Sequence, residues 1–116
     1  LWTAVHYKIP LLLIVANNSS FFNDELHQER MARQRSRPVE NRWIGLRMSD
    51  PALDLAMLAR GQGAEGIGPI EGTGELQDAL DQAVAIVSRG GVCVLDVMVT
   101  PEYDRATSSG VLRQTA

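Results

Sequence analysis

The feature that most constrains the fold is the aliphatic run LLLIVA at residues 11–16, which ends abruptly at Asn17 and Asn18. The run has the length of a β-strand, and both of its faces are apolar. This pattern predicts a strand buried between two layers of helices, as the strands of parallel sheets are. Pro10, directly before the run, ends the amphipathic helix that residues 1–9 predict. Because that helix begins without its first half, we expect the chain to be part of a longer protein.

Helices and strands alternate along the rest of the chain. Asn23, Asp24 and Glu25 are typical of a helix start, with Asn23 as a cap, and predict a helix to about Ala32. The remaining predictions are a basic loop over residues 33–43, a helix capped by Asp50 with Pro51 at its first position and ending at Gly61, a strand over residues 64–70, a helix from Thr73 to Gly90 and Gly91, and a strand over residues 92–99 that ends before Pro101. Asp96 interrupts this last apolar strand, and no local pattern assigns it a role.

This alternation predicts an α/β fold, in which a mostly parallel sheet has helices on both faces and is incomplete at the N-terminus. A chain of 116 residues is long enough for one domain at most. We expect residues 1–102 to form that partial domain. Residues 103–116 are polar and without periodicity, which predicts a disordered tail.

Charge and composition argue against several functional classes. Eleven Lys and Arg residues against fourteen Asp and Glu residues give a net charge of -3, which offers no electrostatic argument for nucleic-acid binding. No apolar segment has the length of a transmembrane helix. Cys93 is the single cysteine, so no internal disulfide can form. We therefore expect a cytoplasmic protein that binds neither nucleic acid nor membrane.

Asn17 and Asn18 are the first candidate functional residues. In an open α/β sheet, ligands bind beyond the carboxyl ends of the strands, which is where these asparagines lie. Amide oxygens suit a hard cation such as Mg²⁺, which often shares its ligands with phosphates, and the N-terminus of the next helix can face a phosphate. The alternative is that the two amides only shape a turn, since asparagine tolerates left-handed conformations and bonds its own backbone.

Three segments together resemble the cofactor-binding domain of thiamine diphosphate-dependent enzymes: LWTAVHYKIPLLLIVANNSSFFNDELHQERMAR, RPVENRWIGLRMSDPALDLAMLARGQGAEG and VLDVMVTPEY. The likeness is greatest to the group of acetohydroxyacid synthase, benzoylformate decarboxylase and pyruvate decarboxylase. The signature of that group is Gly-Asp-Gly, then a helix and a buried strand, then Asn-Asn. This sequence contains the second half of the signature and no Gly-Asp-Gly, so the aspartate that would bind Mg²⁺ is missing.

The resemblance implies cofactor-binding roles for the residues that follow the first strand. Asn18 would bind Mg²⁺ through its side-chain oxygen, and Ser20 would bind it through its backbone carbonyl. Asn17 would shape the turn that holds both ligands. The metal would in turn bridge the diphosphate of thiamine diphosphate.

The resemblance also implies an activity. Phe22 and Asn23 would lie near the thiazolium ring of the cofactor, and Asp24 would be the catalytic residue that contacts the substrate. The intact protein would be a lyase or transferase that decarboxylates 2-keto acids or joins them in an acetolactate synthase-like carboligation. Missing N-terminal domains would complete the site in a homodimer or homotetramer, and this chain alone would be inactive. The alternative is a non-catalytic α/β binding module.

Overall fold

A central strand that is buried along most of its length organises the fold. The computed structural model describes residues 1–100. In chain order, the elements are α1 (Trp2–His6), β1 (Leu11–Asn17), α2 (Phe22–Gln34), α3 (Leu55–Gly61), β2 (Glu65–Ile70), α4 (Thr73–Ser88) and β3 (Val92–Met98). The predicted order of helices and strands is confirmed. β3 is the central strand, and its residues from Val92 to Asp96 are all buried.

The three strands form one parallel sheet in the order β1-β3-β2. β1 pairs with β3 without interruption, from Leu11 opposite Val92 to Asn17 opposite Met98. Helices lie in the connections between the strands, as parallel pairing requires. The predicted α/β fold with a parallel sheet is therefore confirmed.

Successive residues of β3 face opposite sides of the sheet, and helices pack on both sides. Cys93 and Leu95 lie in one core cluster with buried alanines of α4. Val92 and Val94 lie in a second cluster with Ala59 of α3 and with apolar residues of α1. Neither face of the strand is exposed from Val92 to Asp96, because each face is covered by a helix layer.

β1 differs from its prediction because it is an edge strand. Leu13 and Ile14 are 43% and 51% exposed, and within residues 1–100 the only strand neighbour of β1 is β3. The expectation that the run 11–16 is buried between two helix layers is therefore wrong. A continuous apolar run has the same pattern at the edge and at the centre of a sheet, so the sequence does not distinguish the two positions.

α3 begins later than predicted. Asp54 is its N-cap, since Oδ1 of Asp54 accepts a hydrogen bond from the backbone N–H of Met57 at 2.6 Å. The assignment of Asp50 as N-cap and Pro51 as the first helical residue is wrong, because both lie in a turn before the helix. An Asp-Pro pair is compatible with a turn as well as with a helix start.

α2 begins at Phe22, so Asn23 lies inside its first turn and is not the cap. Phe21 occupies the N-cap position, and no side chain caps this end of the helix. Asp24 and Glu25 lie in the first turn as expected, where negative charge is favourable. The sequence pattern therefore predicted the acidic first turn of α2 but not the residue at which the helix begins.

Part of the predicted organisation lies outside the described residues. Pro101 and the predicted tail at residues 103–116 belong to this part, so the boundary after residue 102 stays a prediction. Within residues 1–100, no helix is long and apolar enough to cross a membrane.

Gly66 in β2 permits a close approach of α3 to the sheet. A Cβ atom at this position would lie 2.2 Å from the carbonyl oxygen of Ala56, which is in α3. Because that oxygen belongs to the backbone, it cannot move away without a shift of the helix. Gly74, at the start of α4, is a suitable control, since a Cβ atom there would have no neighbour within 4 Å.

We expect Gly66→Ala to lower the free energy of unfolding by about 1–3 kcal/mol, because the added methyl group forces α3 away from β2. Gly74→Ala is expected to leave it unchanged or to raise it by less than about 1 kcal/mol, since alanine has the higher helix propensity. Urea unfolding followed by far-UV circular dichroism measures both changes. Equal unfolding midpoints for the two variants would contradict the close packing at Gly66.

Candidate functional site

The turn that follows β1 is shaped by both asparagine side chains. Oδ1 of Asn17 accepts a hydrogen bond from the backbone N–H of Ser19 at 2.9 Å, and Oδ1 of Asn18 accepts one from that of Ser20 at 3.0 Å. Ser19 has a φ of 52°, in the left-handed region. Bonds of this kind stabilise a turn locally. Residues 17–20 are thus held in one conformation at the carboxyl edge of the sheet.

A second segment, residues 46–48, contacts the turn through the backbone. The carbonyl of Ser19 accepts a hydrogen bond from the N–H of Met48 at 2.8 Å, and the N–H of Phe21 donates to the carbonyl of Leu46 at 3.0 Å. These bonds satisfy backbone groups of the turn that the asparagine side chains do not reach. The contact is tertiary, so no local pattern in the sequence indicates it.

Glu25 joins the turn, α2 and the segment 46–48 in one polar network. Its side chain is buried, with 1% of its surface exposed. The carboxylate accepts hydrogen bonds from the hydroxyl of Ser20 at 2.5 Å and from Nε and Nη2 of Arg47 at 3.1 and 3.2 Å. A buried carboxylate without such partners would be strongly unfavourable. Glu25 therefore requires Arg47 to stay against the turn.

The pKa of the Glu25 carboxyl lies below its ordinary value. Burial on its own raises this pKa, but the hydrogen bonds from Arg47 and Ser20 and the positive charges of Arg47 and Arg42 more than offset the effect. Glu25 is therefore ionised at neutral pH, as the two-point contact with Arg47 requires.

Arg42 is the second cation near the turn, and it pairs with Glu29. Nη1 of Arg42 lies 2.9 Å from Oε2 of Glu29, while Nη2 of Arg33 lies 2.7 Å from Oε1. The hydrogen bond from Arg33 is the main reason that the pKa of Glu29 is lowered; burial opposes this shift, and the charges of Arg42 and Arg33 add to it. Arg33 and Arg42 share the one carboxylate of Glu29, so this group of three side chains has a net positive charge.

An open cleft of about 500 Å³ lies beside the turn. It is lined by Asn18, Ser19, Ser20, Phe22, Glu25, Arg42, Arg47 and Ser49. Seven of the eight lining residues are polar or charged, and the charged groups are two guanidinium groups and one carboxylate. The cleft lies beyond the carboxyl end of a parallel strand, which is where α/β folds bind ligands, and its volume is within the range of small-molecule sites.

The structure brings some of the predicted site residues to this cleft and leaves others outside it. Asn18, Ser20 and Phe22 line the cleft, whereas Asn17, Asn23 and Asp24 do not. Asn23 and Asp24 are exposed on the first turn of α2. The catalytic role of Asp24 and the cofactor contact of Asn23 stay predictions.

The oxygen atoms of the cleft fit a hard cation in part. Oδ1 of Asn18 accepts one hydrogen bond, from Ser20, and an amide oxygen has a second lone pair that can bind a metal. Within residues 1–100, no group of three or more His, Cys, Asp or Glu side chains could hold a metal ion. The carboxylate of Glu25 is already bonded to Arg47. A Mg²⁺ ion bound here would therefore take its anionic oxygens from a phosphate-bearing ligand or from outside the described residues.

Three residues of the site were not assigned from the sequence: Glu25 as a buried anion, Arg47 and Asp96. Nδ2 of Asn17 donates a hydrogen bond to Oδ1 of Asp96 at 2.9 Å. The only sequence signal for Asp96 is a charged residue within an apolar strand. Glu25 has the pattern of an ordinary first-turn acid, and Arg47 has none, because its partner is 22 residues away in the chain.

Residues 1–97 match one protein-family model. The family is described as thiamine pyrophosphate enzyme, C-terminal TPP binding domain. Searches of curated proteins and of solved structures found no significant match. The family match includes all seven helices and strands except the last residue of β3.

We expect Glu25→Gln to lower the free energy of unfolding by about 2–4 kcal/mol, because it removes the charge that Arg47 and Ser20 bond in a buried position. Glu29→Gln is the matched control on the same helix. Its ion pairs are more exposed, so the expected loss is less than about 1 kcal/mol. Urea unfolding of the two variants measures the difference. Equal losses would contradict the distinct role of Glu25.

The lowered pKa of Glu25 predicts a loss of stability in acid. In the unfolded chain the carboxyl binds a proton at its ordinary pKa, and in the folded chain it does so only at a lower pH. Its contribution is thus complete above the ordinary pKa and is lost as the pH falls through the lowered one. Between about pH 5 and pH 3, we expect the unfolding free energy of the wild type to fall more steeply than that of Glu25→Gln. Parallel pH profiles would assign the acid sensitivity to other groups.

Proposed function

Since the chain belongs to the thiamine pyrophosphate enzymes, as a C-terminal TPP-binding domain, we propose that its cleft holds the diphosphate of the cofactor through Mg²⁺. In this proposal Asn18 binds the ion through Oδ1, and Ser20 binds it through its backbone carbonyl. Asn17 shapes the turn that presents both ligands. The observation that supports this most is the position of Asn18 and Ser20, which both line the cleft beyond the carboxyl end of β1.

The charges around the cleft suit a phosphorylated cofactor. The side chains of Arg42 and Arg47 line the cleft and are 36% and 49% exposed, although each also pairs with a glutamate. Guanidinium groups bind phosphate and carboxylate oxygens in well-defined geometry. We expect these two arginines to attract the diphosphate of the cofactor or the carboxylate of the substrate.

We propose that the protein acts on 2-keto acids, by decarboxylation or by acetolactate synthase-like carboligation, as a lyase or transferase. When bound, thiamine diphosphate supplies the reactive carbon and the electron sink for this chemistry. The residues of this chain bind and orient the cofactor. In this proposal Phe22, in the cleft lining, packs against the cofactor. Asn23 and Asp24 lie at the start of α2, where Asn23 contacts the cofactor and Asp24 contacts the substrate.

The composition of the cleft favours a site that other parts of the protein complete. An anionic ligand for Mg²⁺ is not available among the cleft residues, because Glu25 is bonded to Arg47 and Ser20. We propose that N-terminal domains and a second subunit, in a homodimer or homotetramer, supply this ligand and the remaining wall of the cleft. The cytoplasmic location stays a prediction.

We expect Asn18→Ala to raise the Mg²⁺ dissociation constant of the intact protein at least tenfold in the presence of thiamine diphosphate, which corresponds to about 1.4 kcal/mol. Isothermal titration with Mg²⁺ at a fixed cofactor concentration measures the change. Gln34→Ala, at the exposed far end of α2 and outside the cleft lining, is the control for loss of a side-chain amide and is expected to leave the metal affinity unchanged.

An unchanged Mg²⁺ affinity in Asn18→Ala would remove Asn18 from the ligand set. Retention of the cofactor by a wild-type protein that consumes no 2-keto acid would favour the non-catalytic binding module instead.

The role of Asp24 is tested separately. We expect Asp24→Asn to lower kcat/KM for a 2-keto acid at least tenfold and to leave the affinity for thiamine diphosphate unchanged, because the side chain acts on the substrate and not on the cofactor. Steady-state kinetics with pyruvate and benzoylformate as probes measure the first quantity, and titration calorimetry measures the second. A wild-type kcat/KM would show that Asp24 is only an exposed first-turn residue of α2.

A further inference from the structure

Asp96 is a buried carboxylate in the centre of the sheet. It is 1% exposed and lies on the carboxyl-terminal part of β3, directly beside the end of β1. Among residues 1–100, the side-chain amide of Asn17 is the only hydrogen-bond partner of its carboxylate, at 2.9 Å. A valine or leucine at this position would fill the same apolar strand without the cost of burying a polar carboxyl group. The presence of an acid here therefore calls for a reason beyond packing.

The amide of Asn17 connects this acid to the turn. Its Nδ2 donates to Asp96, while its Oδ1 accepts from the backbone N–H of Ser19. Both ends of one planar group are thus bonded, so its orientation is fixed. If Nδ2 had no partner, the amide could rotate about its side-chain torsions and release Ser19. The bond to Asp96 therefore holds the turn in register with the central strand.

Asp96 itself is held from the opposite side by β2. A Cβ atom on Gly68 would lie 2.6 Å from the carbonyl oxygen of Asp96 and 2.8 Å from its Cβ atom. Gly68 has a φ of 135°, which favours glycine, so the close approach belongs to the backbone of β2. Asp96 is thus confined between its two neighbouring strands and acts as a fixed point for Asn17.

We propose that Asp96 is a positioning residue for the metal-binding turn and that it acts through Asn17 on Asn18 and Ser20. The proposal rests on the proposed function of those two residues. Asp96 contacts neither metal nor cofactor. The hydrogen bond between Asn17 and Asp96 fixes the residue directly before Asn18, so the two oxygens proposed to bind Mg²⁺ are arranged before the ion arrives. Such preorganisation increases the affinity for Mg²⁺, because the turn loses less conformational entropy when the ion binds.

Asn17 and Asp96 can be exchanged without loss of the hydrogen bond between positions 17 and 96. In Asn17→Asp, two carboxylates face each other and the donor is lost, so we expect the Mg²⁺ dissociation constant of the intact protein with thiamine diphosphate to rise at least tenfold. Adding Asp96→Asn places the amide on β3 and the carboxylate on β1, and the carboxylate at position 17 can still accept from Ser19. We expect this double variant to return to within about threefold of wild type, as coupled partners do. Asp96→Asn alone keeps an acceptor for Asn17 and is expected to weaken binding by less than the first variant.

Leu95→Val is the control for a loss of stability without a change in the turn. It removes a methylene from the same strand, on the face that packs against α4. We expect a lower unfolding midpoint and an unchanged Mg²⁺ affinity. If Asp96 had only a structural role, the loss of Mg²⁺ affinity would follow the loss of unfolding free energy in Leu95→Val as well as in the three variants of positions 17 and 96.

The outcomes separate this inference from the proposed function. If the wild-type protein does not bind thiamine diphosphate with Mg²⁺, the proposed function is wrong. If the wild type binds both, the inference is overturned when Asn17→Asp binds Mg²⁺ as well as wild type or better, or when the double variant remains as weak as Asn17→Asp. Rescue by the exchange, with Leu95→Val unchanged, supports the positioning role.

Discussion

The uninterrupted parallel pairing of β1 with β3 is the constraint on which the candidate site depends. It brings the carboxyl ends of the two strands to one edge of the sheet, with Asn17 opposite Met98. In this register the amide of Asn17 reaches Asp96. A slip of one residue would turn every side chain of β1 to the other face and break that bond. The turn with Asn18 and Ser20 therefore starts from a position that the sheet determines.

Beyond the strand end, polar contacts and not apolar burial hold the site. The asparagine side chains bond the backbone of the turn, the segment 46–48 bonds it from outside, and the buried Glu25 joins both through Ser20 and Arg47. Each of these polar groups is costly to bury unless its partner is present. They therefore act together, and the cleft combines the amide oxygen of Asn18 with two paired but accessible guanidinium groups. These groups are the basis of the proposal that the cleft holds a diphosphate and Mg²⁺.

Part of the candidate site could be predicted from the sequence, because Asn18, Ser20 and Phe22 in the cleft lining directly follow the first strand. An amide pair directly after an aliphatic strand of an α/β chain lies at the ligand-binding edge, and amide oxygens suit Mg²⁺. The partners of that pair could not be predicted in this way. Glu25 has the pattern of a helix-dipole acid, and Asp96 is separated from Asn17 by 79 positions. Contacts between distant segments of the chain determine that Glu25 and Asp96 are buried and which side chains they bond.

The sequence by itself determined the order of the elements, since helix and strand periodicity, turn residues and strand length are local properties of the chain. Only the tertiary structure decided which aliphatic strand is central, because β1 and β3 have similar apolar patterns and differ in the number of their neighbours. It also decided that Asp54 and not Asp50 caps α3, through the bond to Met57. The partners of Asn17 and Glu25 likewise depend on long-range pairing, where a hydrogen bond forms only after the sheet has brought its two ends together.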